Sequence, residues 1–220
     1  MNPAVSAAPA VAGEPVVVID FETTGMSPER GERITEVGAV LVEGGRIAAR
    51  FQSLANAGVP VPPFIRQLTG ITDAMLAAAP PVAEVMAGLA AFVGTHTLAA
   101  HNASFDRRFL DAELARIGRT RTQPVLCTVL LSRRLLPQAP SHSLGPLVRW
   151  LGLPSSGVYH RALADAEMTA HLWLHLHDVL DSRYGLRPAT HALLHALLDR
   201  APRQADAWLR TLAAGASAPG

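Results

Sequence analysis

Residues 16–20 (VVVID) form a short, β-branched and continuously apolar run, the pattern of a central strand covered on both faces. Residues 34–42 and 46–54 follow as two further strands joined by Glu43-Gly44-Gly45, which reads as a hairpin with a glycine-rich turn. Pro60, Pro62 and Pro63 then break the strand pattern, and residues 82–92 take on helical periodicity. Residues 95–102 are expected to form another buried strand, residues 104–118 a helix ended by Gly118, and residues 125–131 a last strand running into a helix. HSLGPLVRWLG and ALADAEMTAHLWLHLHDVL complete a helical half. Strands first, then strands alternating with helices, imply an α/β domain: a mixed five-stranded sheet flanked by helices.

Residues 186–213 carry enough Leu and Ala for a helical piece that docks on its own core or on a partner. The organisation expected is a flexible N-terminal tail (1–14), one domain (15–182) and a C-terminal helical extension (183–220) ending in a disordered tail. With 220 residues, 49% of them hydrophobic, the chain can bury one sizeable core. A formal net charge of +1, with no run of more than two basic residues, excludes a polybasic tail that coats nucleic acid, so any phosphate-bearing substrate must be held locally. Cys127 is the only cysteine; it rules out an intramolecular disulfide and reads as a buried structural thiol. No apolar run reaches the ~18 residues of a membrane span, and the start lacks a basic n-region. A cytoplasmic protein is expected.

Carboxylates interrupt the apolar pattern at four places. Asp20 and Glu22 lie two apart on one strand and therefore share a face. Such a pair at a strand end also fits a solvated turn, so the helices decide how it is read. At about 100° per residue, Asp106 falls inside the arc of Phe105, Phe109, Leu110 and Ile117, and Asp165 inside that of Met168, Leu172, Leu176 and Val179. A lone buried Asp caps a helix or pairs with Arg. Two of them, added to the strand pair, call for a common cationic partner. Hard oxygen donors suit Mg²⁺ or Mn²⁺, and sharing four carboxylates suggests two ions; zinc would want His and Cys. Such a site performs in-line displacement at a phosphodiester. His160, five residues before Asp165 and in the segment leading into its helix, is the candidate base, an imidazole having an ordinary pKa near about 6.5.

Other residues invite chemistry but have plainer readings. The pairs His171/His175 and His191/His195 have metal-pair spacing on helices and are read as surface histidines. Trp150 and Trp173 follow helical Leu patterns and are read as core. Arg107, Arg108, Arg133 and Arg134 could line a phosphate path, but exposed Arg on helices is common.

DFETTG (20–25), ITEVGAV (34–40), LTGITDAML (68–76), HNASFDRRFL (101–110) and HRALADAEMTA (160–170) together resemble, in order, the motifs of the DEDDh 3′ to 5′ exonucleases. That family includes the epsilon proofreading subunit of bacterial DNA polymerase III, ribonuclease T and oligoribonuclease. The resemblance covers about residues 15–180. It implies a ribonuclease H-like fold, metal ligation by Asp20, Glu22, Asp106 and Asp165, and His160 as general base. It further implies that Thr23, Thr24 and Gly25 grip the 3′-terminal nucleotide and that His101 and Asn102 lie near the scissile phosphate. Ser143 and Leu144 match a less definite motif, Ser143 also reading as a helix cap, and Thr169 is expected to support the site. The function expected is a two-metal exonuclease acting on single-stranded or frayed 3′ ends, DNA favoured. Its expected partners are DNA or RNA 3′ ends, and a polymerase or other protein held through the C-terminal helices. The alternatives are an exoribonuclease that trims RNA or clears short oligonucleotides, and a non-catalytic binding module.

Overall fold

The computed structural model describes residues 13–155 and 160–216. Five strands, β1 (Val16–Thr23), β2 (Ile34–Glu43), β3 (Arg46–Leu54), β4 (Thr97–Ala100) and β5 (Val125–Cys127), form one sheet in the order β3-β2-β1-β4-β5. The first three pair antiparallel, and β1, β4 and β5 pair parallel, so the sheet is mixed as expected. Between and after the strands come α1 (Pro63–Thr69), α2 (Asp73–Ala77), α3 (Val82–Val93), α4 (Ala103–Arg116), α5 (Thr128–Leu135), α6 (Leu144–Leu151), α7 (Ala162–Tyr184), α8 (His191–Leu198) and α9 (Pro202–Ala216).

The alternation along β1 sorts its side chains between two cores. Val17, Ile19 and Phe21 pack with α3 and α4 through Leu89, Phe109 and Leu110. Val16 and Val18 face α5, α6 and α7 through Leu131, Leu147 and Leu172. Asp20 and Glu22 continue this second row, on the face that α7 covers. The strand also runs farther than the expected 16–20. Pairing with β2 continues to Thr23↔Ile34, whereas pairing with β4 ends at Val18↔Ala99. Both carboxylates therefore stand within a strand that is paired on one edge and open on the other.

The segment 186–213 is two helices, broken before Pro202 where the ring can start a new helix but cannot continue an old one. Their apolar residues Leu194, Leu197, Ala205 and Leu209 join the core cluster beneath α7, so the pair docks on its own domain. Arg134 fastens it: Nη2 donates to Leu198 O (2.8 Å) and Nε to Arg200 O (2.9 Å), satisfying carbonyls at the end of α8. Tyr184 at the end of α7 donates to Asp206 of α9 at 2.8 Å.

Several expectations need correction. Arg134 is buried, because helix-end carbonyls give its guanidinium acceptors. Trp150 is 43% exposed, because Leu147 and Val148 already fill the buried face of α6, while Trp173 is core as expected. Cys127 is half-buried, since it ends β5 at the sheet margin. His191 and His195 are half-buried; His191 stands edge-on to Trp173 and close to Glu14. The expected N-terminal tail lies, up to residue 12, outside the described residues, as do residues 217–220 of the expected C-terminal tail. Among the described residues no helix is long and apolar enough to cross a membrane.

Candidate active site

The site forms where β1 outruns β4. Beyond Val18 the β4-side edge of β1 has no strand partner. Asp106, in the first turn of α4 and 2% exposed, lies beside that gap, where the backbone N–H groups of Phe21 and of Asp106 itself favour its ionised form. From the other face, the first turn of α7 brings Asp165 to Asp20 and Glu22. Ligand atoms of Glu22, His160 and Asp165 all lie within 4.8 Å of one another. Four carboxylates that the sequence scatters over 146 positions thus converge on one spot.

Their electrostatics show what the cluster lacks. Burial, and then repulsion from Asp165, Glu36 and Asp106, raise the Glu22 carboxyl to about 8. Burial raises Asp106 to about 7, against the nearby backbone N–H groups that favour its ionised form. Asp20 is raised well above its ordinary value by burial and by Asp106, Asp165 and Glu22, and Asp165 is raised chiefly by burial. Buried like charges at this spacing ionise together only around a cation. The nearest protein cation, Arg161, is already tied to Glu36. An all-oxygen donor set with uncompensated charge fits hard divalent metal ions.

The Arg161–Glu36 pair was not anticipated. Glu36 on β2 stands opposite Glu22 in register and is fully buried. Its carboxylate accepts from Arg161 Nε (3.1 Å) and Nη2 (3.0 Å), from the Ala162 backbone N–H (3.2 Å) and from Gln52 Nε2 (2.8 Å). Such saturation allows a charge to remain in a sheet. It also fixes the chain where α7 begins. Two residues on, Gly38 lies opposite Asp20, and a Cβ there would stand 2.2 Å from Ala162 C and 2.4 Å from Leu163 N. The helix carrying Asp165 therefore presses against bare β2 backbone. The sequence signal was present, a Glu and a Gly inside an otherwise apolar strand, but neither had been given a role.

His160 is exposed, and its backbone N–H donates to Asp165 Oδ2 at 2.9 Å. Its φ of 59° lies in the left-handed region, a costly conformation for a side chain with a Cβ and one concentrated at functional sites.

The expected substrate-contacting residues divide. His101 lines the same cleft as Asp20, His160 and Asp165, together with Ser143 and Leu144. Its Nε2–H donates to His142 O and its Nδ1 accepts from Thr128, both at 2.9 Å, and burial lowers its pKa to about 4. It is a neutral wall residue with both nitrogens engaged. Asn102, left-handed at the start of α4, is exposed and borders a neighbouring hollow with Ser104 and Arg107. Thr23, Thr24 and Gly25 follow the carboxylates directly. Thr23 donates to Gly25 O, while Thr24 Oγ1 accepts from Arg33 N (2.9 Å), so these hydroxyls brace the turn. The space a Gly25 Cβ would need is taken by the Glu32 carboxylate. Ser143 precedes α6 at the cap position without capping through its side chain. Thr169 is buried without a hydrogen-bond partner among the described residues, so its support is by packing.

Similarity to known proteins agrees with this geometry. The profile of the Exonuclease family that includes ribonuclease T matches residues 17–173. The chain is 36% identical over 171 residues to a DNA polymerase III subunit epsilon of Aquifex aeolicus, covering 77% of this chain and 84% of that one. It is 38% identical over 202 residues to a PolC-type DNA polymerase III of Bacillus cereus, covering 91% of this chain but only 13% of that much longer protein. The structure of exonuclease X in complex with 5′ overhanging duplex DNA superposes with a TM-score of 0.62 at 30% identity, covering 74% of this chain and 91% of that one. The nuclease domain of 3′hExo, a DEDDh family member bound to rAMP, shares the fold at 20% identity and a TM-score of 0.64, over 75% of this chain and 92% of that one. With the Asp-x-Glu strand, the two helix aspartates and the His-x4-Asp segment assembled in one cleft, this chain belongs to the DEDDh exonuclease family and has its ribonuclease H-like fold.

Proposed function

We propose that the protein is a 3′ to 5′ exonuclease, dependent on two divalent metal ions, that releases nucleoside 5′-monophosphates from single-stranded or frayed 3′ ends, DNA favoured. The observation that carries this reading is the convergence of Asp20, Glu22, Asp106 and Asp165, all raised first by burial, beside the exposed His160. When bound between these carboxylates, Mg²⁺ or Mn²⁺ supplies an acidified water and neutralises charge on the departing 3′ oxygen. The protein's own part is positional and acid–base. Asp20 and Glu22 are set by the strand, Asp106 by the first turn of α4, and Asp165 by the packing of α7 on Gly38. His160 takes the proton of the attacking water, its backbone held by Asp165. The turn at Thr23–Gly25, immediately past the carboxylates, is the support offered to the terminal nucleotide, and His101 and Asn102 border the scissile phosphate, His101 as a fixed wall. The preference for DNA rests on the relatives, which include DNA polymerase III proteins and an exonuclease in complex with DNA.

The test is incubation with 5′-labelled single-stranded DNA and RNA oligonucleotides in Mg²⁺, Mn²⁺ or EDTA, alongside Asp20→Ala and His160→Ala. The expected result is a ladder shortening from the 3′ end, faster on DNA, absent in EDTA and lost in both variants. No cleavage of either polymer with either metal refutes the proposal.

A further inference from the structure

The cleft that holds the carboxylates has a second wall. Leu144, Gly145, Pro146 and Arg149 of α6 face Asp20, His160 and Asp165 across it, and Arg149 is the one basic side chain apart from histidine that lines it. The chain's 19 basic residues are all arginine, and three of those near the site have partners. Arg161 is bound to Glu36, Arg33 to Glu113, and Arg108 to the carbonyls of Ser104 and Met26. Arg149 is exposed and has no side-chain partner among the described residues.

An unpaired guanidinium on the rim of a cleft that is otherwise strongly anionic has a specific use. A nucleic acid strand is a polyanion, and the four carboxylates repel every phosphate except the one bound with the metal ions. The rest of the strand needs a compensating cation at some distance from the reacting centre. A planar guanidinium suits a phosphate, since it can donate two parallel hydrogen bonds. We infer that Arg149 anchors a phosphate of the substrate strand other than the scissile one, making α6 the wall along which the strand leaves the active site. This inference rests on the exonuclease reading above.

The two readings separate by substrate. A single-stranded 12-mer of DNA has phosphates beyond the scissile one, while p-nitrophenyl thymidine 5′-monophosphate has only the phosphodiester to be cleaved. Both are assayed with wild type, Arg149→Ala and Arg149→Lys in Mn²⁺. Arg149→Ala is expected to raise KM on the 12-mer about tenfold, the lower end for a charge-assisted hydrogen bond, with kcat much less affected and a far smaller loss on the nitrophenyl ester. The slope of log KM against log salt concentration is expected to fall by about 0.7, the contribution of one phosphate on a single strand. Arg149→Lys, keeping the charge, should recover part of the KM and the whole of the salt slope. Equal losses on both substrates, or an unchanged KM on the 12-mer, overturn the role of Arg149 while leaving the exonuclease standing. A wild type inert on both substrates overturns the exonuclease and this inference with it.

Discussion

Replacing Gly38 by Ala adds a single methyl group in the middle of β2, at a backbone conformation any residue can adopt. In open space the change would stabilise the fold by about 0.4–1 kcal/mol through the unfolded chain. Here the methyl would lie 2.2 Å from Ala162 C and 2.3 Å from Ala162 O, main-chain atoms that cannot rotate aside. Carbon atoms rest about 3.5 Å apart, so the first turn of α7 must retreat by about 1.3 Å. Asp165 sits on that turn, and the His160 N–H is bonded to it. Misplacement by about 1 Å costs catalysis about a hundredfold, whereas overpacking costs about 1–3 kcal/mol of stability. For a chain of this size that is a fall of roughly 2–12 °C in Tm. The assay is kcat on a labelled oligonucleotide together with thermal unfolding followed by circular dichroism. A folded Gly38→Ala protein with kcat within threefold of wild type would refute the reasoning, because α7 would then have moved without disturbing the site or would not press on β2 at all.

Two further outcomes follow from the same geometry. Glu22 near 8 and Asp106 near 7 bind protons that the unfolded chain has already released, so the metal-free fold is most stable below about pH 4 with respect to these groups and loses that stability as pH rises through 7 and 8. In EDTA, Tm should fall from pH 5 to pH 8.5, and saturating Mn²⁺ should abolish the fall by replacing the protons; parallel curves with and without metal would contradict the shared site. Glu36→Ala should cost about 2–3 kcal/mol in urea unfolding, toward or below the low end for breaking a buried pair because Arg161 is 38% exposed and can partly rehydrate. It should also lower kcat at least tenfold, and unchanged values of both would show that the pair does not hold α7.

The mixed sheet could be anticipated because its strands are short apolar runs with glycine or proline between them, and the two helix aspartates, Asp106 and Asp165, because each breaks an apolar arc. What could not be read from the chain depends on contacts between elements. Arg134 has the sequence context of any exposed helical arginine, and only the docking of α8 supplies the carbonyls that bury it. Trp150 follows a Leu pattern that two neighbours already satisfy. Glu36 and Gly38 are conspicuous within β2, yet their meaning lies in α7, more than a hundred residues later, which the first residue grips and the second admits.

The match to the family profile ends at residue 173, inside α7, whereas the packing does not end there. Leu194, Leu197, Ala205 and Leu209 close the core over the far half of that helix, and Arg134 bolts them down from the other side. The family profile and the packed core therefore draw different boundaries. A fragment trimmed to the similar region would keep every residue of the DEDDh set and yet bare Leu131, Leu135 and Leu172 to water, an invitation to aggregate. The smallest piece that can be handled in a test tube is set by the last leucine that closes this core, well downstream of the last residue of the DEDDh set.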